Sequence, residues 1–283
     1  MSVPRLGFVF DDNAKSLRLI SGVPGAAQMD LSVSIEGTTL SSAFVHSRDR
    51  LALTTLKSGA IALVDWNATP RITNLDTNLK LQAVAFSRSG NRVAFTDGMS
   101  VEVWSDLRGN PERTAQFSVD AKVRGLALND DGLLAVSGVG GIVLFDGQQR
   151  RTILTGIDTS VLAFFANGQD LLAASGASVH LIRDIRKSSG SASVIVLDQD
   201  VSALSVSNDG AWAAASTKTD VALVNLSDNS VSQLRCACKA ASFDALEGNF
   251  VVSAIDSHGA LVVLDLGSAP KLTPIPEFGG VTE

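Results

Sequence analysis

Along this chain, short apolar runs in which small and large side chains alternate are separated by polar turns that end in glycine. The run Ala83-Val84-Ala85-Phe86 leads into Ser87-Arg88-Ser89-Gly90, and the same design returns three times: Gly125-Leu126-Ala127-Leu128 into Asn129-Asp130-Asp131-Gly132, Val161-Leu162-Ala163-Phe164 into Phe165-Ala166-Asn167-Gly168, and Ala203-Leu204-Ser205-Val206 into Ser207-Asn208-Asp209-Gly210. Weaker copies lie at 42–52 and 241–251, so the six units are spaced by about 40 residues, a period that marks a repeat architecture. Asn, Asp or Ser followed by Gly reverses a chain readily, because Gly tolerates positive φ and the polar side chain hydrogen-bonds its own backbone.

Each unit reads as four short strands. After the hairpin comes a second strand (92–96, 133–137, 171–175, 212–216, 250–254). A polar link then leads to a third strand that ends in a polar residue, as in Ile61-Ala62-Leu63-Val64-Asp65 and Val101-Glu102-Val103-Trp104. A less apolar fourth strand closes the unit, for example Arg71-Ile72-Thr73-Asn74-Leu75. Four strands per repeat predict an all-β propeller of four-stranded antiparallel blades. The hairpins are not separated by amphipathic helical stretches, which argues against a parallel α/β fold, and a sandwich gives no reason for a fixed period. Small residues in the first strands (Ala83, Ala85, Gly125, Ala127, Ala163, Ala203, Ser205, Ala240, Ser242) suit a crowded axis.

The predicted units run over 40–80, 81–122, 123–158, 159–200, 201–237 and 238–276 of a single domain, with 5–36 supplying most of one more blade. Seven blades are expected, the first built from the N-terminus and closed against 271–275. Six blades with an N-terminal appendage is the alternative. Closure matters because an open ring exposes a strand edge.

The Ser-x-x-Gly turns at Ser87 and Ser207 and the strand Val101-Glu102-Val103-Trp104-Ser105-Asp106 resemble the WD-repeat and YVTN-type β-propellers over residues 40–270. That resemblance implies blades with an S-P-D-G-like turn and a third strand ending in Trp-Asp. The chain departs from the WD pattern in carrying no Gly-His dipeptide in any blade and in having the third-strand Trp in place only at Trp104. Asp65, Asp146, Asp184, Asn225 and Asp265 end the corresponding runs elsewhere.

Composition narrows the function. With 283 residues, 45% hydrophobic, and mean hydropathy +0.23, the chain has ample material for a core. Lys and Arg total 23 against 29 Asp and Glu, a net charge of -6, the wrong sign for tracking a phosphate backbone, so nucleic acid is not an expected partner. Charged residues make up only 18%, which leaves Ser, Thr, Asn, Gly and backbone to cover much of the surface. The uncharged run 133–145 holds three glycines and is too short to span a bilayer, and the first residues contain no export signal. A cytoplasmic location is the default expectation, without membrane insertion.

Catalytic signatures are absent: there is no G-x-S-x-G, H-E-x-x-H, phosphate-binding loop or dinucleotide fingerprint. His46 is placed in a hairpin turn, His180 inside a third strand where the neighbouring repeat has Glu102, and His258 in a link. These are three different radii, so no tri-histidine metal site is expected. Cys236 and Cys238 would share a strand face, a poor geometry for a bridge, and two ligands do not make a zinc site. The acidic turns 11–13 and 129–132 lack the spaced ligands and closing Glu of a calcium loop, and turn chemistry accounts for them. The basic tract 183–191 reads as a solvated loop or a contact for an acidic partner. No cofactor or metal is expected.

Loops on a rigid scaffold are where binding usually resides. The face formed by the second-to-third links and the fourth-to-first connections would carry Lys57, Asp97, Met99, Lys218, Asp220, Asp256 and His258 from the links, and Lys80, Asp120, Lys122, Asp158 and Asp200 from the connections. Its mixed charge points to a protein or peptide partner and to a non-enzymatic interaction scaffold, with membership of a larger assembly open. The alternative is a hydrolase or lyase of lactonase or glycan-processing type, with Asp120, Asp158, Asp200 and Asp256 around the channel. A lectin is disfavoured by 5% aromatic content and the lack of Tyr.

Overall fold

The computed structural model describes residues 5–12, 14–23, 26–33, 39–46, 48, 50–67, 70–187, 192–235, 243–246, 248, 250–254, 261–267 and 269–275, and every regular element among them is a strand. The N-terminal strands β1 (Arg5–Asp11), β2 (Ser16–Ser21) and β3 (Gln28–Val33) form a three-stranded sheet. Blade 1 comprises β4 (Leu40–His46), β5 (Leu51–Leu56), β6 (Ile61–Asp65) and β7 (Arg71–Asn74). Blade 2 comprises β8 (Ala83–Phe86), β9 (Arg92–Thr96), β10 (Ser100–Ser105) and β11 (Glu112–Ser118). Blade 3 comprises β12 (Val123–Leu128), β13 (Leu134–Gly138), β14 (Gly141–Asp146) and β15 (Gln149–Thr155). Blade 4 comprises β16 (Val161–Phe164), β17 (Leu171–Ser175), β18 (Ser178–Ile182) and β19 (Ala192–Val196). Blade 5 comprises β20 (Ala203–Val206), β21 (Trp212–Ser216), β22 (Asp220–Asn225) and β23 (Val231–Arg235). Blade 6 comprises β24 (Asp244–Ala245), β25 (Phe250–Ala254), β26 (Leu261–Asp265) and β27 (Lys271–Ile275). Strands pair antiparallel in chain order within each sheet.

The glycine-ended turns form as their composition requires. Gly90, Gly132, Gly168 and Gly210 have φ of 66, 89, 64 and 72°, in the left-handed region where a side chain would be strained. Each donates its N–H three residues back, as from Gly90 to the Ser87 carbonyl at 2.9 Å and from Gly210 to that of Ser207 at 2.9 Å. The side chain that opens the turn then accepts from the returning strand: Asn129 Oδ1 from Leu133 N at 2.8 Å, and Ser207 Oγ from Trp212 N at 2.9 Å.

Middle strands are buried on both faces because each sheet packs between two others. Leu51, Leu53 and Leu63 of blade 1 meet Val93, Phe95 and Trp104 of blade 2, and Leu172, Val179 and Leu181 of blade 4 meet Ala213, Ala215 and Val224 of blade 5. Fully burying one such Leu or Phe contributes about 1.5–3 kcal/mol. The expectation of a crowded axis is met at Gly125 on β12. A methyl there would collide with the Ser160 carbonyl oxygen and come within 2.8 Å of Ser137 Oγ. Gly125→Ala is therefore expected to destabilise the fold by about 1–3 kcal/mol in a denaturant titration, as overpacking does.

Blade number needs correcting from seven to six. The described N-terminal residues supply three strands rather than four, and the sheet they form has no inner strand at the axis. It is instead wedged between blades 6 and 1. Leu6, Val9 and Ile20 pack against Leu246, Val263 and Ile275 of the blade 6 region, while Phe8 and Leu17 pack against Leu40, Ala52 and Val64 of blade 1. With no strand between them at the axis, β24 reaches β4 directly. Ring closure against 271–275 thus comes from side-chain packing, not from strand pairing.

Candidate binding site

The inner strands β4, β8, β12, β16 and β20 and the blade 6 residues Phe243 and Leu246 surround a central cavity of about 540 Å³. Its lining takes the second half of each inner strand and the hairpin turn that follows, so the cavity occupies the hairpin end of the channel. Among the described residues none of the N-terminal sheet lines it, which makes the bore six-sided. Each inner strand is the edge of its sheet, and an edge strand leaves alternate N–H and C=O groups unpaired. The wall is accordingly both apolar, through Phe44, Phe86 and Phe164, and able to hydrogen-bond a guest through main chain.

The rim is tied from blade to blade. The Ser89 amide donates to Asp130 Oδ1 at 2.8 Å, joining blades 2 and 3, and Asn129 Nδ2 donates to the Gly168 carbonyl at 2.8 Å, joining blades 3 and 4. Arg186 of blade 4 returns to Asp131 of blade 3 at 3.3 Å. Arg88 goes furthest: its Nη2 donates to the Asn208 carbonyl at 2.6 Å, crossing from blade 2 to blade 5 over the channel mouth. Burial opposes ionisation of Asp130. The backbone and side-chain hydrogen bonds of Ser89, that of Ser87 and the charge of Arg88 outweigh it, so the carboxyl titrates below its ordinary value. Arg48, an exposed rim residue, adds a second guanidinium.

The described residues among those predicted from the repeat occupy the opposite end. Lys57, Asp97, Met99 and Lys218 lie in links between second and third strands, Asp220 opens β22, and Lys80, Asp120, Lys122, Asp158 and Asp200 lie in connections between blades. None of them lines the central cavity. Local bonds hold several of them. Asp97 Oδ1 accepts from the amides of Met99 and Ser100 at 2.9 and 2.8 Å, Asp120 pairs with Arg150 at 2.7 Å, Asp158 with Arg124 at 2.7 Å, and Asp220 accepts from Thr219 at 2.9 Å. Asp120 also borders a smaller pocket of about 300 Å³ on blade 3, with Gly140 and Arg150. Asp256, His258, Cys236 and Cys238 lie outside the described residues.

His46 ends strand β4 and does not sit in the turn after it. Its ring centroid is 5.3 Å from that of Phe86. His180 lies within β18, and burial pushes its imidazole below its ordinary value. The acidic turns are engaged in turn and inter-blade bonds: besides the links above, Asp11 Oδ1 accepts from the Ala14 amide at 3.0 Å, and Asp12 pairs with Lys15 at 2.7 Å. Arg183, Arg186 and Lys187 of the basic tract pair with Asp170, Asp131 and Asp184. Among the described residues no three His, Cys, Asp or Glu side chains converge in a way that could hold a metal ion.

Sequence reasoning passed over Arg88 and Asn208 as rim residues. Their signal is the second turn position. Across four repeats the second position reads Arg88, Asp130, Ala166, Asn208 while the fourth stays Gly, and a position that changes charge inside a fixed turn is one freed for contacts between blades.

No protein-family model matches the chain, and no curated protein matches it in sequence. Among solved structures, it is similar to a functionally unknown protein from Desulfotomaculum acetoxidans, with a TM-score of 0.69 at 13% identity over 96% of this chain and 99% of that one. At that identity the likeness concerns the fold, and it agrees with the strand pairing: the chain is an all-β propeller with six four-stranded antiparallel blades.

Proposed function

We propose that the chain is a non-enzymatic interaction module that receives a peptide or protein loop at the hairpin-side mouth of its channel. The observation that carries this reading is the cavity of about 540 Å³ whose wall combines Phe44, Phe86 and Phe164 with unpaired inner-strand backbone, beneath a rim of Arg48, Asn167 and Asn208. Such a wall offers apolar contact to an inserted side chain and main-chain hydrogen bonds to the segment that carries it. The alternative, carboxylate chemistry around the channel, finds less support. Asp120 and Asp158 are each engaged by an arginine, and neither they nor Asp200 reach the cavity.

Selection from a random peptide library tests the proposal. Bound peptides are expected to weaken about tenfold or more, near 1.4 kcal/mol, on Arg48→Glu or Asn167→Arg, and to be indifferent to Lys57→Glu at the other end. Binding that responds only to Lys57→Glu would move the contact surface to the face expected from the repeat. Turnover of a small molecule with no peptide selected would count against an interaction module altogether.

A further inference from the structure

The outer strand of each sheet ends in a free edge, and free edges recruit other strands unless guarded by charge or proline. In sequence, every outer strand but one holds a charged residue or a proline. β3 has Asp30, β7 has Arg71, β11 has Glu112 and Arg113, β15 has Arg150 and Arg151, β23 has Arg235, and β27 has Lys271 and Pro274. β19 reads Ala192-Ser193-Val194-Ile195-Val196, with no charge and no proline. Val194 and Val196 are 53% and 73% exposed, while Ile195 and Leu197 are buried. β19 therefore has one face in the core and an apolar second face left open.

The hydrogen-bond parity of this strand is fixed. The Leu197 amide donates to the Ala177 carbonyl at 2.8 Å, and the pairing of β18 with β19 runs without a register shift. The backbone groups of Ser193 and Ile195 consequently turn inward to β18, and those of Ala192, Val194 and Val196 turn outward. The two exposed valines are thus among the residues whose N–H and C=O groups face away from β18.

We propose that β19 is a docking edge for a second copy of this chain, paired antiparallel through β19 of each. Outward groups match outward groups when Val194 faces its counterpart and Ala192 faces Val196, a register that brings four exposed valines onto one face of a continuous sheet. Charge selects the same partner. The basic residues Arg186 and Lys187, 47% and 70% exposed beside their own partners Asp131 and Asp184, precede the strand, and Asp198, which accepts from Gln233, and Asp200 follow it. Antiparallel self-pairing sets the basic end of each copy beside the acidic end of the other, a two-fold contact whose halves are self-complementary.

Sedimentation of the full chain over a concentration series tests the inference. A reversible dimer is expected, and Val194→Lys with Val196→Lys should return it to monomer with unchanged circular dichroism, raising the dissociation constant by about tenfold or more, near 1.4 kcal/mol. Lys187→Glu should weaken the dimer, and adding Asp200→Lys should restore it. A chain that stays monomeric at every concentration overturns the proposal, as does a dimer indifferent to the two lysines. Should the lysine variant fold poorly, hydrogen exchange on the unaltered chain decides. The Val194 and Val196 amides slow as concentration rises if β19 pairs, and exchange at a constant rate if it does not.

Discussion

Glu102→Ala is expected to lower the stability of the chain by about 3 kcal/mol in denaturant unfolding followed by circular dichroism. Glu102 is 1% exposed in the middle of β10. Its Oε2 accepts from Trp104 Nε1 at 2.9 Å, and its Oε1 from Arg113 Nη1 at 2.9 Å. Alanine would leave the indole N–H buried without an acceptor, at a residue 5% exposed. Arg113 is 40% exposed along its side chain and can turn to water, which keeps the loss from growing further. Glu102→Gln preserves an oxygen for Trp104 and gives up the charge, so a loss of about 1 kcal/mol is expected. Equal losses for the two variants would mean that the charge, and not the acceptor for Trp104, is what blade 2 requires.

Asp170→Asn is the second large effect, at about 2 kcal/mol near neutral pH, because hydrogen bonds to a charged acceptor are the stronger kind. Asp170 accepts from Arg183 Nη1 at 2.8 Å, Asn167 Nδ2 at 3.0 Å and the Asp184 amide at 2.9 Å. Arg183 then donates to the Leu226 carbonyl of blade 5 at 3.0 Å and lies 4.9 Å from the Phe165 ring centroid, so one carboxylate orients a link between two blades. Burial alone would raise the pKa of Asp170, but the hydrogen bonds from Arg183, Asn167 and the Asp184 amide outweigh it, aided by the Arg183 charge, and the folded value lies below the ordinary one. A folded value below the unfolded one means that this stabilisation is present above the ordinary carboxylate value of 3.8 and is lost as pH falls through the folded value. The difference in Tm between native chain and variant should therefore narrow in acid below pH 3.8. A difference that holds constant into strong acid would assign the loss to packing instead.

Much of the architecture was legible because its causes are local. Gly90, Gly132, Gly168 and Gly210 mark turns that need positive φ, and Ala83, Gly125 and Ala203 mark strands that need small side chains, so the period and the four-stranded blades follow from residues close together in the chain. The N-terminal sheet was harder to count, because strands 5–33 contain no glycine-ended hairpin of the repeating kind and their place is decided by packing on residues more than two hundred positions away, Val263 and Ile275. The candidate site was hardest. Nothing in the spacing of Arg88 and Asn208 says that they meet across the channel, or that the cavity lies at the hairpin end. The carboxylates that drew attention by their repetition, Asp97, Asp120 and Asp158, serve largely as turn acceptors and ion-pair partners.

The wedge of β1 to β3 separates two dimensions that a regular propeller ties together. Adding a full blade to a ring widens both its circumference and its bore, whereas this sheet enlarges the disc at its periphery and leaves the pore to the other six. Deleting 5–33 would strip cover from Ala52, Val64 and Val263 while removing none of the described residues that line the cavity. Girth and pore diameter in this molecule can thus evolve separately, one through the N-terminal segment and the other through the inner strands.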